Sequence, residues 1–216
     1  MADSKISALA AVTDLLTTDE LVLARAGATK KIAGDDLAAA IAAALGFSQI
    51  DDQVLGAAGT FDFTSIPQTY RHLRIEYQAR GSDAAAAVAI GMRFNNDSGN
   101  TYYSQLVSFA NTVVASSESL GTNFGRCGVV AAAGAGSANL AGAGTIEIPN
   151  YASGSWYQNF KAHNVYGISG GSGDTVEYVT GGWWENVAAI TQITLIPSAG
   201  STFAIGSRAT LFGLGL

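Results

Sequence analysis

The stretch Leu73-Arg74-Ile75-Glu76-Tyr77-Gln78-Ala79 alternates apolar and polar side chains without interruption. Because successive side chains of a β-strand point to opposite faces, this period of two predicts a strand with one buried and one solvated face. The segment Val88–Phe94 repeats the pattern. One-sided strands of this kind are typical of antiparallel sheets.

Outward from these two segments, the chain consists of short apolar runs separated by glycine-rich turns. Further strands are predicted at Tyr102–Phe109, Asn123–Ala131, Gly144–Pro149, Tyr157–Tyr166, Thr175–Thr180, Ile190–Ile196 and Phe203–Phe212. Such a series of strands without a convincing helix predicts a mainly β fold. We expect residues 60–216 to form an antiparallel β-sandwich domain, jelly-roll-like in its strand number.

The beginning of the chain has a different composition. Of the 11 basic and 17 acidic residues, 12 lie in Met1–Asp52, whereas 23 of the 26 glycines follow it. A hairpin is predicted from Leu21–Arg25 and Lys30–Ala33, and a short amphipathic helix from Asp36–Leu45. This predicts a small α+β module over residues 1–48 and a linker over residues 49–59. The apolar residues expected to form the core of the module are Leu21, Leu23, Ile32, Leu37 and Ile41.

A lone hairpin and a helix of this length bury too little apolar surface to be stable by themselves. We therefore expect the module to dock on another surface, which is the body of the chain, other copies of the module or a larger assembly.

Charge and cysteine content exclude several classes of function. The net charge of −6 and the pI near 4.7 argue against binding to nucleic acid, which needs clustered lysine and arginine. No apolar run reaches the ~18 residues of a membrane span, so no membrane insertion is predicted. The lone Cys127 allows no intramolecular disulfide and is expected to be a small buried residue. The first residues lack the pattern of a secretory signal, so synthesis in a cytoplasm is expected.

Several segments resemble catalytic or metal-binding motifs, but each lacks the partner residues that the motif requires. Gly167–Gly171 reads Gly-x-Ser-x-Gly, but no histidine follows it in the chain, as a nucleophile elbow requires. His72 and His163 have no metal-ligand spacing. Asn95–Asn100 resembles the first half of a calcium-binding loop. The glycine at loop position 6 and the glutamate at position 12 that such a loop needs are absent, so the segment is interpreted as a turn. Glycoside hydrolysis needs a pair of carboxylates, for which Glu147, Asp174, Glu177 and Glu185 are candidates, but nothing in the sequence pairs them. We predict no catalytic, cofactor-binding or metal-binding residue and no cofactor.

Tryptophans offer the one binding hypothesis that the residues support. Trp156 precedes Tyr157, and Trp183 precedes Trp184. Neighbours on a strand point to opposite faces, so at most one member of each pair is expected in the core. The other member either covers an interface between subunits or stacks on a sugar, and both interpretations stay open.

Two sets of residues resemble those of one protein class. The first set lies in the N-terminal module: Lys5–Leu9, Asp19–Leu23, Gly27–Ile32 and Asp36-Leu37. The second set lies in the body: Tyr70–Ile75, Met92–Asp97, Thr101–Tyr103, Ile146–Ala152, Ile190–Leu195 and Gly206–Gly213. Together they resemble structural proteins of tailed-bacteriophage virions, of the minor tail, fibre or capsid decoration type.

This resemblance implies a non-enzymatic protein on the virion surface. It implies a homotrimer with jelly-roll-like C-terminal heads, bound to other virion proteins of the tail or capsid through residues 1–48. A tail fibre or tail-tip adhesin is slightly preferred. A capsid decoration protein or head fibre is the alternative, and a module that binds a host surface glycan is a further one.

Overall fold

A computed structural model describes residues 20–25, 28–33, 46–110, 112–135, 139–168, 174–198 and 200–215. The chain divides into two compact units, Met1–Gly46 and Phe47–Leu216. In the first unit, β1 (Glu20–Arg25) pairs antiparallel with β2 (Ala28–Ala33), and Leu21 is the register partner of Ile32. The predicted helix, with Leu37 and Ile41, lies outside the described residues.

The second unit is mainly β, with two antiparallel sheets. Its strands are β3 (Phe47–Val54), β4 (Phe61–Phe63), β5 (His72–Ala79), β6 (Ala87–Phe94), β7 (Tyr102–Ala110), β8 (Val113–Thr122), β9 (Gly125–Ala131), β10 (Gly142–Pro149), β11 (Gln158–Ile168), β12 (Asp174–Trp184), β13 (Ile193–Pro197) and β14 (Arg208–Leu214). An eight-stranded sheet has the order β3-β14-β5-β10-β11-β12-β7-β8, and a four-stranded sheet the order β4-β13-β6-β9. Within the described ranges, no helix is long and apolar enough to cross a membrane.

The predicted linker over residues 49–59 is wrong in its first half. Residues 47–54 form strand β3, which pairs with β14 along its length, so the second unit begins at Phe47. The prediction missed β3 because this strand lies at the edge of the sheet and is only partly buried. Without a fully buried face, its sequence shows no period of two. The short strand β4 and the exposed strand β8 were missed for related reasons.

A shared core joins the two sheets. The alternation that predicted β5 is confirmed, since Leu73, Ile75, Tyr77 and Ala79 are all buried. Cys127 is also fully buried, as expected. The largest fully buried side chains come from both sheets and from the loops between strands: Trp184, Tyr102, Tyr151, Phe61, Phe63, Phe94 and Phe203.

Two side-chain amides connect the large sheet to both edges of the small sheet. At one edge, Gln53 of β3 donates to the carbonyl oxygen of Asp62 at 2.7 Å and accepts from its backbone N–H at 3.2 Å. At the other edge, Asn164 of β11 accepts from the backbone N–H of Val129 at 3.3 Å and donates to the carbonyl oxygen of that residue. Each amide thus hydrogen-bonds both the backbone N–H and the backbone C=O of one residue in an edge strand of the small sheet, which is β4 for Gln53 and β9 for Asn164.

The buried amide needs space that only glycine leaves. Gly128 precedes Val129 with a φ of 136°, and a Cβ added there would overlap the side-chain oxygen of Asn164. The ladder between β6 and β9 also shifts register at Ile90/Gly91. The small sheet therefore bends its edge strand at the point where the amide of the large sheet reaches it.

Candidate functional site

The three tryptophans occupy different environments. Trp184 is 1% exposed, whereas Trp183 is 42% exposed on the opposite face of β12. Trp156 is 73% exposed and lies in the loop before β11, where Tyr157 is exposed as well. The rule that neighbours on a strand point to opposite faces does not apply to Trp156 and Tyr157, because β11 begins only at Gln158.

Trp184 has a structural role in the turn after β6. Its Nε1 donates to Asp97 Oδ2 at 2.7 Å, and Asp97 also accepts from the backbone N–H of Gly99 at 2.8 Å and from Thr101 Oγ1 at 2.9 Å. Burial acts to raise the pKa of Asp97, but these hydrogen bonds outweigh it and hold the pKa below its ordinary value. The segment that resembles half a calcium loop is thus a turn whose carboxylate is occupied by donors of the chain itself.

The exposed Trp183 forms a stacked aromatic pair with the partly buried Tyr103. Its ring stacks on that of Tyr103, with centroids 5.0 Å apart and an interplanar angle of 10°. The two residues are register partners on β12 and β7. Tyr103 Oη donates to Glu185 Oε2 at 3.0 Å, and this hydrogen bond to the carboxylate raises the pKa of Tyr103. The hydrogen bond and the stacking contact together orient the ring of Tyr103.

The other ring face of Trp183 lies on the side of β11. Its register partner there is Asn159, which also lines a cavity of about 180 Å³ together with Asn150, Trp156 and Tyr157. Drug-sized ligands need pockets of roughly 300–1,000 Å³, so this cavity suits a single small ring. Asn159 therefore lies between the cavity and the aromatic pair.

The loop that carries Trp156 is tied to the body of the domain. The buried Gln158 donates through Nε2 to the carbonyl oxygen of Ser153 at 2.7 Å, and the backbone N–H of Ser155 donates to Ser153 Oγ at 3.2 Å. Asn159 Nδ2 donates to the carbonyl oxygen of Tyr157 at 3.0 Å. These bonds limit the movement of the loop, so Trp156 keeps a defined place beside the cavity.

We call the group Tyr103, Trp156, Tyr157, Asn159, Trp183 and Glu185 the aromatic surface. It combines flat apolar rings with amide and carboxylate groups, and none of its members is a cation. The nearest lysine along β11, Lys161, is paired with Glu147 at 2.7 Å. Such a surface can stack on the apolar face of a neutral sugar and hydrogen-bond its hydroxyls, but it offers nothing to neutralise an anionic ligand.

The remaining candidates for chemistry have separate partners. Glu147 pairs with Lys161, and that hydrogen bond lowers its pKa; Glu177 pairs with His163. His72 Nδ1 accepts from the backbone N–H of Asn150 at 3.1 Å. The side chain of Asp174 and the whole of Ser169 lie outside the described part. Across the described ranges, no group of three metal-ligating side chains comes together.

A larger depression of about 290 Å³ lies over β5, β10 and β11. Its charged lining residues, Arg74, Glu147 and Lys161, pair with one another. The aromatic surface is therefore the better candidate, because its rings are exposed and its amide and carboxylate groups are not locked in ion pairs.

Sequence reasoning pointed to Trp156 and Trp183 but missed Tyr103, Asn159 and Glu185. Tyr103 and Asn159 each lie directly opposite or beside Trp183 only after strand pairing, which a single sequence does not reveal. A usable signal was the position of Tyr103, which alternates with the buried Tyr102 and so had to face outward. In comparisons with known proteins, no family model matches the chain, and neither a curated protein nor a solved structure is detectably similar to it.

Proposed function

We propose that this chain is a non-enzymatic structural protein on the surface of a tailed-bacteriophage particle. The first compact unit, Met1–Gly46, attaches it to the particle, and the β-rich unit faces outward. The support is the set of phage-like motifs in both parts of the chain and the division into a small and a large compact unit.

Host attachment is the role that we favour for the β-rich unit. The observation that carries it is the exposed Trp183, stacked on the partly buried Tyr103, beside an uncharged polar cavity. In this role the protein is a tail fibre or tail-tip component, and its ligand is a glycan of the host surface. The second candidate is a capsid decoration protein or head fibre, because the same motifs suit both positions on a virion.

The two sheets are proposed to form a jelly-roll-like sandwich. Supporting this are the core that draws on both sheets and the amides of Gln53 and Asn164 that reach from one sheet to the other. The resemblance further favours a homotrimer, for which light scattering coupled to size exclusion would give three times the chain mass of 22.1 kDa.

Ligand binding is tested with the purified chain on host cells and on a panel of host surface glycans. Trp183→Ala removes one stacking face, which is worth about 0.5–1.5 kcal/mol, so the Kd is expected to rise roughly 2- to 12-fold. Phe47→Ala is the matched control, since Phe47 is a 46% exposed aromatic residue on the opposite edge of the same sheet. Equal losses in both variants, or binding that neither variant weakens, would refute a role for the aromatic surface.

Location on the particle is tested separately. Antibodies raised against the chain are applied to intact virions of the phage or prophage that encodes it, and the label is located by electron microscopy. Labelling at the tail tip supports host attachment, and labelling over the capsid supports decoration. Virions that carry no label and contain no such chain would refute the proposal as a whole.

A further inference from the structure

We propose that the outer edge of β8 pairs with β8 of a second copy of this chain, antiparallel and about a two-fold axis. This inference goes beyond the proposed function and does not depend on it. It rests on the exposure, composition and register of one strand.

Strand β8 is the last strand of the eight-stranded sheet, and within the described ranges no strand pairs with its outer edge. The strand is exposed over most of its ten residues, including Val113 at 62%, Val114 at 65% and Leu120 at 60%. The reason is that β9, at the edge of the small sheet, packs across β10, β11, β12 and β7. Strand β8 therefore extends past the shared core, with both faces and one edge in solvent.

An exposed edge of this length is normally protected against pairing with other chains. Lysine, proline, β-bulges, inward-pointing charges or short strands are the usual means. Strand β8 contains no lysine or proline, and Glu118 is its single charged residue. Its ladder with β7 shifts register only near the end, between Ser119 and Thr122, where Gly121 has a positive φ. The opposite edge of the sheet differs, because β3 carries Asp51 and Asp52 and is linked to the small sheet through Gln53. Of the two edges, β8 is the less protected against pairing with another strand.

A second copy is the partner that this edge fits best. The whole chain has a net charge of −6, so two copies repel one another except where their surfaces are almost uncharged. Strand β8 provides such a surface. A contact about a two-fold axis uses the same surface on both partners and closes after two copies.

The sequence also selects the register. If the two-fold axis is perpendicular to the sheet, side chains on the outer face of one copy lie on the same face as those of the other copy. The axis then passes beside one residue near the middle of β8, and this residue lies opposite the same residue of the second copy. The two residues at the middle of the strand are Ser117 and Glu118. Centring on Glu118 places two carboxylates directly opposite each other, which is destabilising. Centring on Ser117 avoids this and places Val114 opposite Leu120 of the other copy, on both sides of the axis. We therefore assign the register centred on Ser117.

This contact does not by itself produce the trimer that the resemblance favours, because a two-fold contact cannot close three copies. In a trimer it would join one trimer to the next.

Cysteine cross-linking of the full chain tests both the pairing and its register. In Ser117→Cys the two thiols face each other across the axis, and with diamide as oxidant we expect a disulfide-linked pair on a non-reducing gel. Ser119→Cys is the matched control on the same strand and face. Residue 119 opposes residue 115 of the other copy, so its two copies lie ~13 Å apart, beyond the ~7 Å limit for a disulfide. The native Cys127 is fully buried and adds little background.

Adding Val114→Lys to Ser117→Cys places a charge on the edge and is expected to abolish the cross-link while the far-UV circular dichroism stays unchanged. Absence of a cross-link in folded Ser117→Cys would overturn the proposal. So would a cross-link that forms equally fast in Ser119→Cys, since it would reflect random collision.

Discussion

Replacing Asn164 by alanine tests what holds the two sheets together. In the folded chain, the buried amide of Asn164 occupies both the N–H and the C=O of Val129 on β9. Val129 is buried too, so water does not take over when the amide is removed. Asn164→Ala therefore leaves one donor and one acceptor without partners inside the core.

The expected cost follows from these two groups. A buried polar group left without a partner costs about 1–3 kcal/mol, and part of this is recovered because the amide of Asn164 no longer has to be buried. We expect a loss of about 2–4 kcal/mol in the free energy of unfolding. For a unit of this size, 1 kcal/mol corresponds to a Tm change of about 2–4 °C, so the Tm should fall by about 4–16 °C.

The assay is urea unfolding followed by tryptophan fluorescence, with calorimetry for the Tm. Gln53→Ala is the control, because it removes the same type of link at the other edge of the small sheet. That link is exposed to solvent, so water replaces the amide and the loss should stay below about 1 kcal/mol. Asn164→Leu fills most of the space without restoring the hydrogen bonds and should remain destabilised.

Equal losses in Asn164→Ala and Gln53→Ala would refute the argument that burial decides the strength of the link. A loss below about 1 kcal/mol for Asn164→Ala would show that the amide does not matter to the core. Full rescue by Asn164→Leu would assign the effect to packing volume rather than to hydrogen bonding.

Two further predictions concern titratable groups. The folded-state pKa of Asp97 is lowered, so this residue contributes stability above the unfolded pKa of about 3.9 that is lost as the pH falls through the folded pKa. Asp97→Asn should therefore be less stable than the wild type at pH 7, and the difference should shrink in urea unfolding below about pH 4; a constant difference at all pH values would contradict this. Burial raises the pKa of the Cys127 thiol, so a thiol reagent should modify the folded chain far more slowly than the chain in urea, and equal rates would contradict its burial.

The elements that sequence reasoning predicted are those whose burial leaves a periodic pattern. Strand β5 has one fully buried face, and its alternation gave both its existence and its orientation. Strands β3 and β8 were missed because they lie at the two ends of the large sheet, where burial is partial or absent. The conformation of an edge strand depends mainly on its hydrogen bonds to the neighbouring strand, which is distant in sequence. Its own residues therefore show little periodicity from which it could be predicted.

The candidate site shows the same limit. Trp183 was recognisable because tryptophan is rare and costly to expose, and its neighbour Trp184 had to take the opposite face. Tyr103 lies 80 positions earlier in the chain and becomes its neighbour only through the β12–β7 register. The carboxylate of Glu185 orients Tyr103 through a hydrogen bond that depends on this same register.

The aromatic surface and the edge of β8 also bear on each other. A two-fold axis perpendicular to the sheet keeps the outer faces of both copies on the same side, so both aromatic surfaces would point in one direction. Trp183 lies two strands inward from β8, and its partner Tyr103 lies three residues along β7 from Leu106, the register partner of Ser117. With strands ~4.8 Å apart and ~3.3 Å per residue, the two surfaces would be separated by about 31 Å. Two weak sites at a fixed spacing on one face bind a repetitive ligand more tightly than either site alone. A repeating polysaccharide is such a ligand, so under the proposed glycan binding, pairing through β8 would raise the avidity of the aromatic surface without any change in the site itself.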